Sequence, residues 1–520
     1  MNRQALVSRR AYLKGSTVAM LSAAGIARSG AAAATAQVKT DAAAGQSPKQ
    51  PARQDLIDIG SARQLFCDER FIDAPERISI AMNPPAKLGP VLKPDRPWED
   101  FRLTSYFTVV DDGKLARMYY SCFSHDQWNT PGAWDKHAYL CYAESTDGLH
   151  WDKPELGLVE FEGSKRNNIL MPRIVDGTVF VDPTAPPQQR YKMLHTIGPH
   201  GVGLFVSCSA DGIRFTTPDK PVSPWRPDSQ QNAFYDQRLN KYVAYLRARP
   251  DMGLQPKGRS VARVEIDQID QPWAGLTPQI VFAADDQDPD DVDFYTNACV
   301  KYPWGADAYF MFPATYHHFP KEYGNDGLLD SAAAFSRDGI VWQRPDRRPY
   351  VPLGMTDDWD AAFIMMGVGL VRRGKRIYQY YNGTDLSHGG TRKESKNVSK
   401  DRRRWGWMAA VQQRLDGFYC AQAAYEGGQF ITPPIRFQGS RLVLNIDTSA
   451  AGSARVAITD ASGAPIEGFA IDDCDKIMAN DTDYEVSWRS RRDVSSLSGQ
   501  PIRLRFQMRC ARLYAMQFVT

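Results

Sequence analysis

Apolar and polar residues alternate along this chain in short runs bounded by Gly, Pro, Asn and Asp, and no long helical period stands out. That pattern predicts a mostly β protein. Five of the runs are aromatic strands: Met118-Tyr119-Tyr120, Tyr191-Lys192-Met193, Tyr242-Val243-Ala244-Tyr245, Tyr309-Phe310-Met311-Phe312 and Tyr378-Gln379-Tyr380-Tyr381. With Tyr119, Lys192, Val243, Phe310 and Gln379 as markers, the spacings are 73, 51, 67 and 69 residues. A sheet-forming unit recurring at such a period needs neighbours to cover its faces, which predicts a propeller of five blades.

A second repeat runs in step with the first. Ser145-Thr146-Asp147-Gly148-Leu149-His150-Trp151 recurs as Ser209-Ala210-Asp211-Gly212-Ile213-Arg214-Phe215 and as Ser336-Arg337-Asp338-Gly339-Ile340-Val341-Trp342. Weaker copies are Asp270-Gln271-Pro272-Trp273 and Leu415-Asp416-Gly417-Phe418. Asp-Gly marks a tight turn, and the aromatic after it is placed to plug the gap between blades. Beyond about Tyr425 the character changes. Arg441-Leu442-Val443-Leu444-Asn445-Ile446, Ala454-Arg455-Val456-Ala457-Ile458 and Ile502-Arg503-Leu504-Arg505-Phe506 alternate cleanly, as strands with one buried face do. They predict a β-sandwich over 425–520 behind a propeller over 55–424.

The first residues are set apart. Ser8-Arg9-Arg10-Ala11-Tyr12-Leu13-Lys14 matches the twin-arginine export signal, and an apolar stretch and an alanine-rich run follow. We read 1–36 as a signal peptide and 37–54 as a flexible linker, with the mature protein working in the periplasm or secreted. The apolar stretch is too short to span a membrane. A net charge of +3 over 520 residues gives no case for nucleic acid. The eight cysteines contain no C-x-x-C pair, so buried free thiols are preferred to a zinc site or a disulfide framework.

An acid precedes each aromatic strand: Glu99, Asp176, Asp228, Asp293 and Asp360. Five acids brought to one axis suit glycoside hydrolysis, which needs one carboxylic acid and one carboxylate. Crowding raises one pKa and supplies the protonated partner. The expected catalytic residues are Glu99, Asp228, Asp293 and Asp360; Asp176, before Gly177, reads as a turn. Trp98, Asn232, Tyr295, Trp359 and His388 are the expected substrate contacts, with Gln230 and Gln231 as further amide donors. Trp128 and Trp134 lie in a polar loop expected at the rim. A basic run at 392–404 would favour a uronate or sulfated glycan if it bordered the funnel. No cofactor is required, although clustered carboxylates at the propeller centre also suit calcium.

In several segments the chain resembles exported bacterial proteins of the glycoside hydrolase family 32 and 43 type: residues 91–99, 142–148, Asn167-Asn168-Ile169, Phe180-Val181-Asp182-Pro183 and Glu426-Gly427-Gly428. The resemblance implies a five-bladed propeller with a C-terminal β-sandwich and a carbohydrate substrate. The chain lacks the family-32 Asn-Asp-Pro-Asn-Gly and Glu-Cys motifs, so the resemblance assigns no roles to the acids. Hydrolysis of a polysaccharide or oligosaccharide is the primary reading. A lyase using Tyr or His as base on a uronate, and a glycan-binding propeller without catalysis, are the alternatives.

Overall fold

The computed structural model describes residues 55–124, 137–197, 203–390 and 406–520. The described chain is nearly all β, and its strands form seven sheets. The signal and linker readings, Trp128, Trp134 and the run at 392–404 lie outside the described residues.

Each marker of the aromatic repeat lies on a strand with partners on both sides. Ala116–Phe123 pairs with Thr108–Asp111 and Tyr139–Ser145 in a first sheet. Tyr191–His195 lies between Thr178–Val181 and Phe205–Ser209 in a second. Lys241–Arg247 lies between Asn232–Asp236 and Val261–Ile266 in a third. Tyr309–Met311 lies between Val300–Lys301 and Ala334–Ser336 in a fourth. Arg376–Thr384 lies between Phe363–Met366 and Trp407–Arg414 in a fifth, whose outer strand is Ala86–Leu92 from near the start of the described chain. The fifth sheet also takes in Val292–Phe294, Ala314–His318 and Gly327–Ser331, which extend it beside the fourth.

The Ser-x-Asp-Gly turns form the same bonds three times. The serine hydroxyl accepts the glycine N–H and donates to the aspartate, at 2.8 and 3.0 Å for Ser145. The aspartate accepts the next two backbone N–H groups, both at 2.8 Å for Asp338. Ser209 and Asp211 repeat the set. The aromatic that follows packs on the preceding sheet. Trp151 meets Tyr380 of the fifth sheet, Phe215 meets Tyr119 of the first, and Trp342 meets Tyr245 of the third. Trp273 shares a core with Phe180 and Leu194 of the second. Phe418 meets Phe310 of the fourth, with ring centroids 4.3 Å apart. The contacts thus run from sheet to sheet in cyclic order.

Glycine is required in these turns. Gly339 has φ +76°, and a Cβ there would lie 2.6 Å from the Tyr245 hydroxyl, which itself donates to the Gly339 carbonyl. Gly339→Ala is expected to cost about 2 kcal/mol through left-handed strain and the clash. Urea denaturation of the variant checks this, and an unchanged midpoint would remove the turn from the account of stability.

Polar contacts join the sheets at the starts of Thr178–Val181 and Asn232–Asp236. Val179 N–H donates to Thr108 Oγ1 at 3.3 Å, and Thr178 Oγ1 donates to the Gln231 carbonyl at 2.5 Å. Gln230 accepts the Ala298 N–H at 2.7 Å and donates to the Met366 carbonyl at 3.0 Å, so one side chain ties together segments of three sheets.

Two further six-stranded sheets share one hydrophobic cluster, with Phe66, Phe430, Phe506, Trp488 and Phe518 among its members. They draw strands from both sides of residue 425. Ile57–Gly60 pairs with Ile435–Phe437, Asp73–Glu76 with Gly428–Ile431, and Ile78–Met82 with Tyr419–Ala423.

Candidate active site

The structure separates the predicted acids into two kinds. Glu99 is fully buried. Its Oε1 accepts from Tyr120 at 2.5 Å, and its Oε2 accepts from Lys153 at 2.5 Å. Burial pushes its carboxyl up, while Lys153 and Tyr120 pull it back. Asp360 repeats the arrangement, accepting from Lys87 at 2.7 Å and Tyr381 at 2.8 Å. So do acids that no functional reading selected. Asp236 takes Lys301 and Tyr309, Asp182 takes Tyr242 with Lys192 nearby, and Asp416 takes Arg63 and Tyr302. A carboxylate satisfied by one cation and one tyrosine is a recurring buried support of this fold. Glu99 and Asp360 belong to it: Glu99 accepts on both oxygens, and Asp360 takes both of its donors on Oδ2.

Asp176 is also buried and accepts the Thr196 N–H at 3.1 Å and its hydroxyl at 2.8 Å. Burial pushes its carboxyl up to about 6. His195, next in the chain to Thr196, is pushed down by burial to about 4. The two oppose each other. The raised Asp176 stabilises the fold fully below its ordinary value of 3.8 and loses that contribution as the pH rises through about 6. The depressed His195 contributes fully above 6.5 and loses that contribution as the pH falls through about 4. Asp176→Asn removes the first effect. Its stability is expected to climb more steeply than the wild type's as the pH rises between about 4 and 6. Parallel stability–pH curves for the two proteins would refute this.

Asp228 and Asp293 are of the second kind, joined through one cluster of cations and rings. Val292–Phe294 places Asp293, which is 7% exposed. Its Oδ2 accepts the backbone N–H and the guanidinium of Arg259, both at 3.1 Å, and lies 3.1 Å from His318 Nε2. Its Oδ1 is buried with no hydrogen-bond partner. Arg259 lies over the rings of Tyr295 and Tyr316, 4.8 Å from each centroid. Arg247, at the end of Lys241–Arg247, lies 4.3 Å from the Tyr295 centroid and donates to Asp228 Oδ2 at 3.2 Å. Arg249 NH1 is 3.6 Å from the same oxygen. Asp228 is held there by a left-handed backbone, φ +52°, and its side chain is 51% exposed.

His388 opens a helical turn after the strand Arg376–Thr384. Its Nδ1 lies 3.1 Å from the Asn325 carbonyl, and its Nε2 lies 3.2 Å from the Tyr295 hydroxyl. A carbonyl only accepts, so Nδ1 carries the proton. Nε2 faces the Tyr295 hydroxyl and accepts its O–H when the ring is neutral. Tyr106 stands beside Tyr295 and Arg247, with its hydroxyl pushed well up by burial and by Tyr295.

The remaining expected contacts pack or bond within the protein. Trp98 is buried, donates to Asn168 at 2.9 Å and packs edge-on against Phe161. Asn232 is buried and donates to the Cys299 carbonyl. Gln230 and Gln231 are likewise buried between sheets. Trp359 stacks on Tyr381 and Trp407. The Tyr295 ring carries two guanidiniums, and its hydroxyl meets His388. Among the described residues no group of three His, Cys, Asp or Glu side chains is placed to hold a metal ion.

Arg247, Arg249, Arg259 and His318 were not among the expected site residues. The available signals were Leu246-Arg247-Ala248-Arg249, which closes an aromatic strand with two cations, and Tyr316-His317-His318.

No protein-family model matches the chain, and no curated protein matches it. Among solved structures it is similar to a "Glycoside hydrolase" at 14% identity and TM-score 0.43, covering 64% of this chain and 92% of that one. It is similar to an N-acetylgalactosamine deacetylase from F. plautii in complex with blood group B trisaccharide, at 13% identity and TM-score 0.42, over 65% of this chain and 96% of that one. A third is a β-1,2-mannobiose phosphorylase from Listeria innocua in complex with β-1,2-mannobiose, at 12% identity and TM-score 0.41, over 66% of this chain and 98% of that one.

Proposed function

We propose that this chain is an exported enzyme that cleaves a glycosidic bond in a polysaccharide or oligosaccharide, at the Asp228–Asp293 cluster. The scaffold is a five-bladed propeller with a β-sandwich. The cyclic order of the five inter-sheet aromatic contacts and the core shared by the two six-stranded sheets support this reading.

The observation that carries the function is the state of Asp293. One oxygen is fixed by Arg259 and His318, and the other faces no protein donor. A carboxylate oriented on one side and unengaged on the other is prepared to accept a proton from water or to attack a sugar carbon. Tyr295 and His388 share a hydrogen bond along which a proton can move, and they supply the complementary acid. Asp228, open to solvent, is the second carboxylate.

Elimination is the second reading, favoured by the same Tyr295–His388 bond beside three arginines. In a lyase the tyrosine, relieved of its proton by the histidine, would abstract the proton next to a uronate carboxylate. Product analysis on a glycan panel separates the two. New reducing ends without ultraviolet absorbance mean hydrolysis, and an unsaturated uronate means elimination. Binding with no turnover on any glycan would leave a lectin-like propeller.

Export is tested separately. Replacing Arg9 and Arg10 with lysine is expected to hold the protein in the cytoplasm. Undiminished periplasmic accumulation would refute the export reading.

A further inference from the structure

We infer that the sugar unit bound at this site carries an anionic substituent, a carboxylate or a sulfate, received by Arg247 and Arg249. This rests on the site assignment above and goes beyond it in naming the substrate class.

Each guanidinium presents five N–H donors and no acceptor. Arg247 is 8% exposed, and it donates to Asp228 Oδ2 and to the Tyr295 carbonyl, at 3.2 and 3.3 Å. Its Nε has no hydrogen-bond partner, although it is buried. Arg249, whose side chain is 38% exposed, shares the same Asp228 oxygen, and its Nε is also buried without a hydrogen bond. The nearest other carboxylate, Asp251 Oδ1, is 3.8 Å from that Nε, beyond hydrogen-bonding distance. Two guanidiniums therefore converge on one oxygen of a half-exposed aspartate, with donors to spare.

The cations also change what the site can recognise. A neutral sugar is commonly held by an open aromatic face, but here guanidiniums lie over the Tyr295 and Tyr316 rings. What the cluster offers a ligand is planar forked donors. Those match the geometry of a carboxylate or a sulfate and are wasted on a hydroxyl. Asp228 shows that the two guanidiniums hold a carboxylate, and the donors it leaves on the partly exposed Arg249 receive the ligand's anionic group beside it.

The test uses full-length mature Asp293→Asn protein, so that turnover does not consume the probe. Calorimetry compares tri-galacturonate, a sulfated N-acetylgalactosamine disaccharide and neutral galactotriose. At least one anionic probe is expected to bind tenfold or more tighter than the neutral one, and Arg249→Gln is expected to remove that preference. Which anionic probe binds distinguishes carboxylate from sulfate. Arg249 is partly exposed, and an unchanged melting curve verifies that its variant folds. Equal affinity for neutral and anionic probes, no binding of either anionic probe, or an anionic preference that survives Arg249→Gln would each overturn the inference. Failure of the functional reading looks different. Asp293-dependent cleavage confined to neutral glycans would keep the enzyme and reject the anionic substrate. Arg249-dependent anion binding with no cleavage of any glycan would do the reverse.

Discussion

Replacing Asp293 with asparagine is expected to lower turnover by roughly a hundredfold or more, the scale of a lost general acid–base or nucleophilic group. The reason is local. Two donors from Arg259 converge on Oδ2, and His318 Nε2 lies 3.1 Å from it. The oxygen of an asparagine would turn to meet them, and its NH₂ would then occupy the position of the partnerless Oδ1. An acceptor becomes a donor where the chemistry needs a lone pair. The fold should tolerate the change, since the side chain keeps its size and its neighbours stay paired. The measurement is turnover on the best glycan of a panel, with a melting curve alongside. A loss of activity that only tracks a loss of folded protein would make Asp293 one more buried support.

Replacing Glu99 with glutamine is expected to do the opposite. Its partner Lys153 is enclosed, with a side chain 5% exposed. Removing the charge leaves a buried ammonium short of its closest counter-ion, which costs about 3 kcal/mol, the low end for a broken buried pair. The low end applies because Asp95 still meets Lys153 Nζ at 2.6 Å. The Tyr120 hydroxyl loses a charged acceptor as well. Protein that remains folded should turn over substrate normally. A hundredfold loss of turnover in Glu99→Gln with an unshifted urea midpoint would return Glu99 to the active site and sink the division of the acids into two kinds.

That division also shows what a sequence can reveal here. The aromatic strands and the Ser-x-Asp-Gly turns were legible because their logic is local. Serine, aspartate and glycine within four residues make all the bonds of the turn, and the strand markers recur in phase with it. The positions of the acids ahead of the strands were legible for the same reason. Their roles were not, because role depends on the partner. Lys153 lies 54 residues from Glu99, and Lys87 lies 273 residues from Asp360. An acid whose cation arrives from a distant stretch of the chain looks the same in sequence as an acid facing a substrate. The site cations share the difficulty, since Arg247, Arg259, His318 and His388 come from four separate strand ends. The pairing of the strands within 57–82 was hidden too, because their partners Gly428–Ile431, Ile435–Phe437 and Tyr419–Ala423 lie hundreds of residues away.

The most direct measurement is product analysis of the mature wild-type protein, Asp293→Asn and Glu99→Gln, run in parallel on one panel of neutral and uronate-containing glycans. The wild type and folded Glu99→Gln are expected to release the same cleaved product from at least one glycan, and Asp293→Asn almost none. Cleavage by Asp293→Asn at the wild-type rate would contradict this.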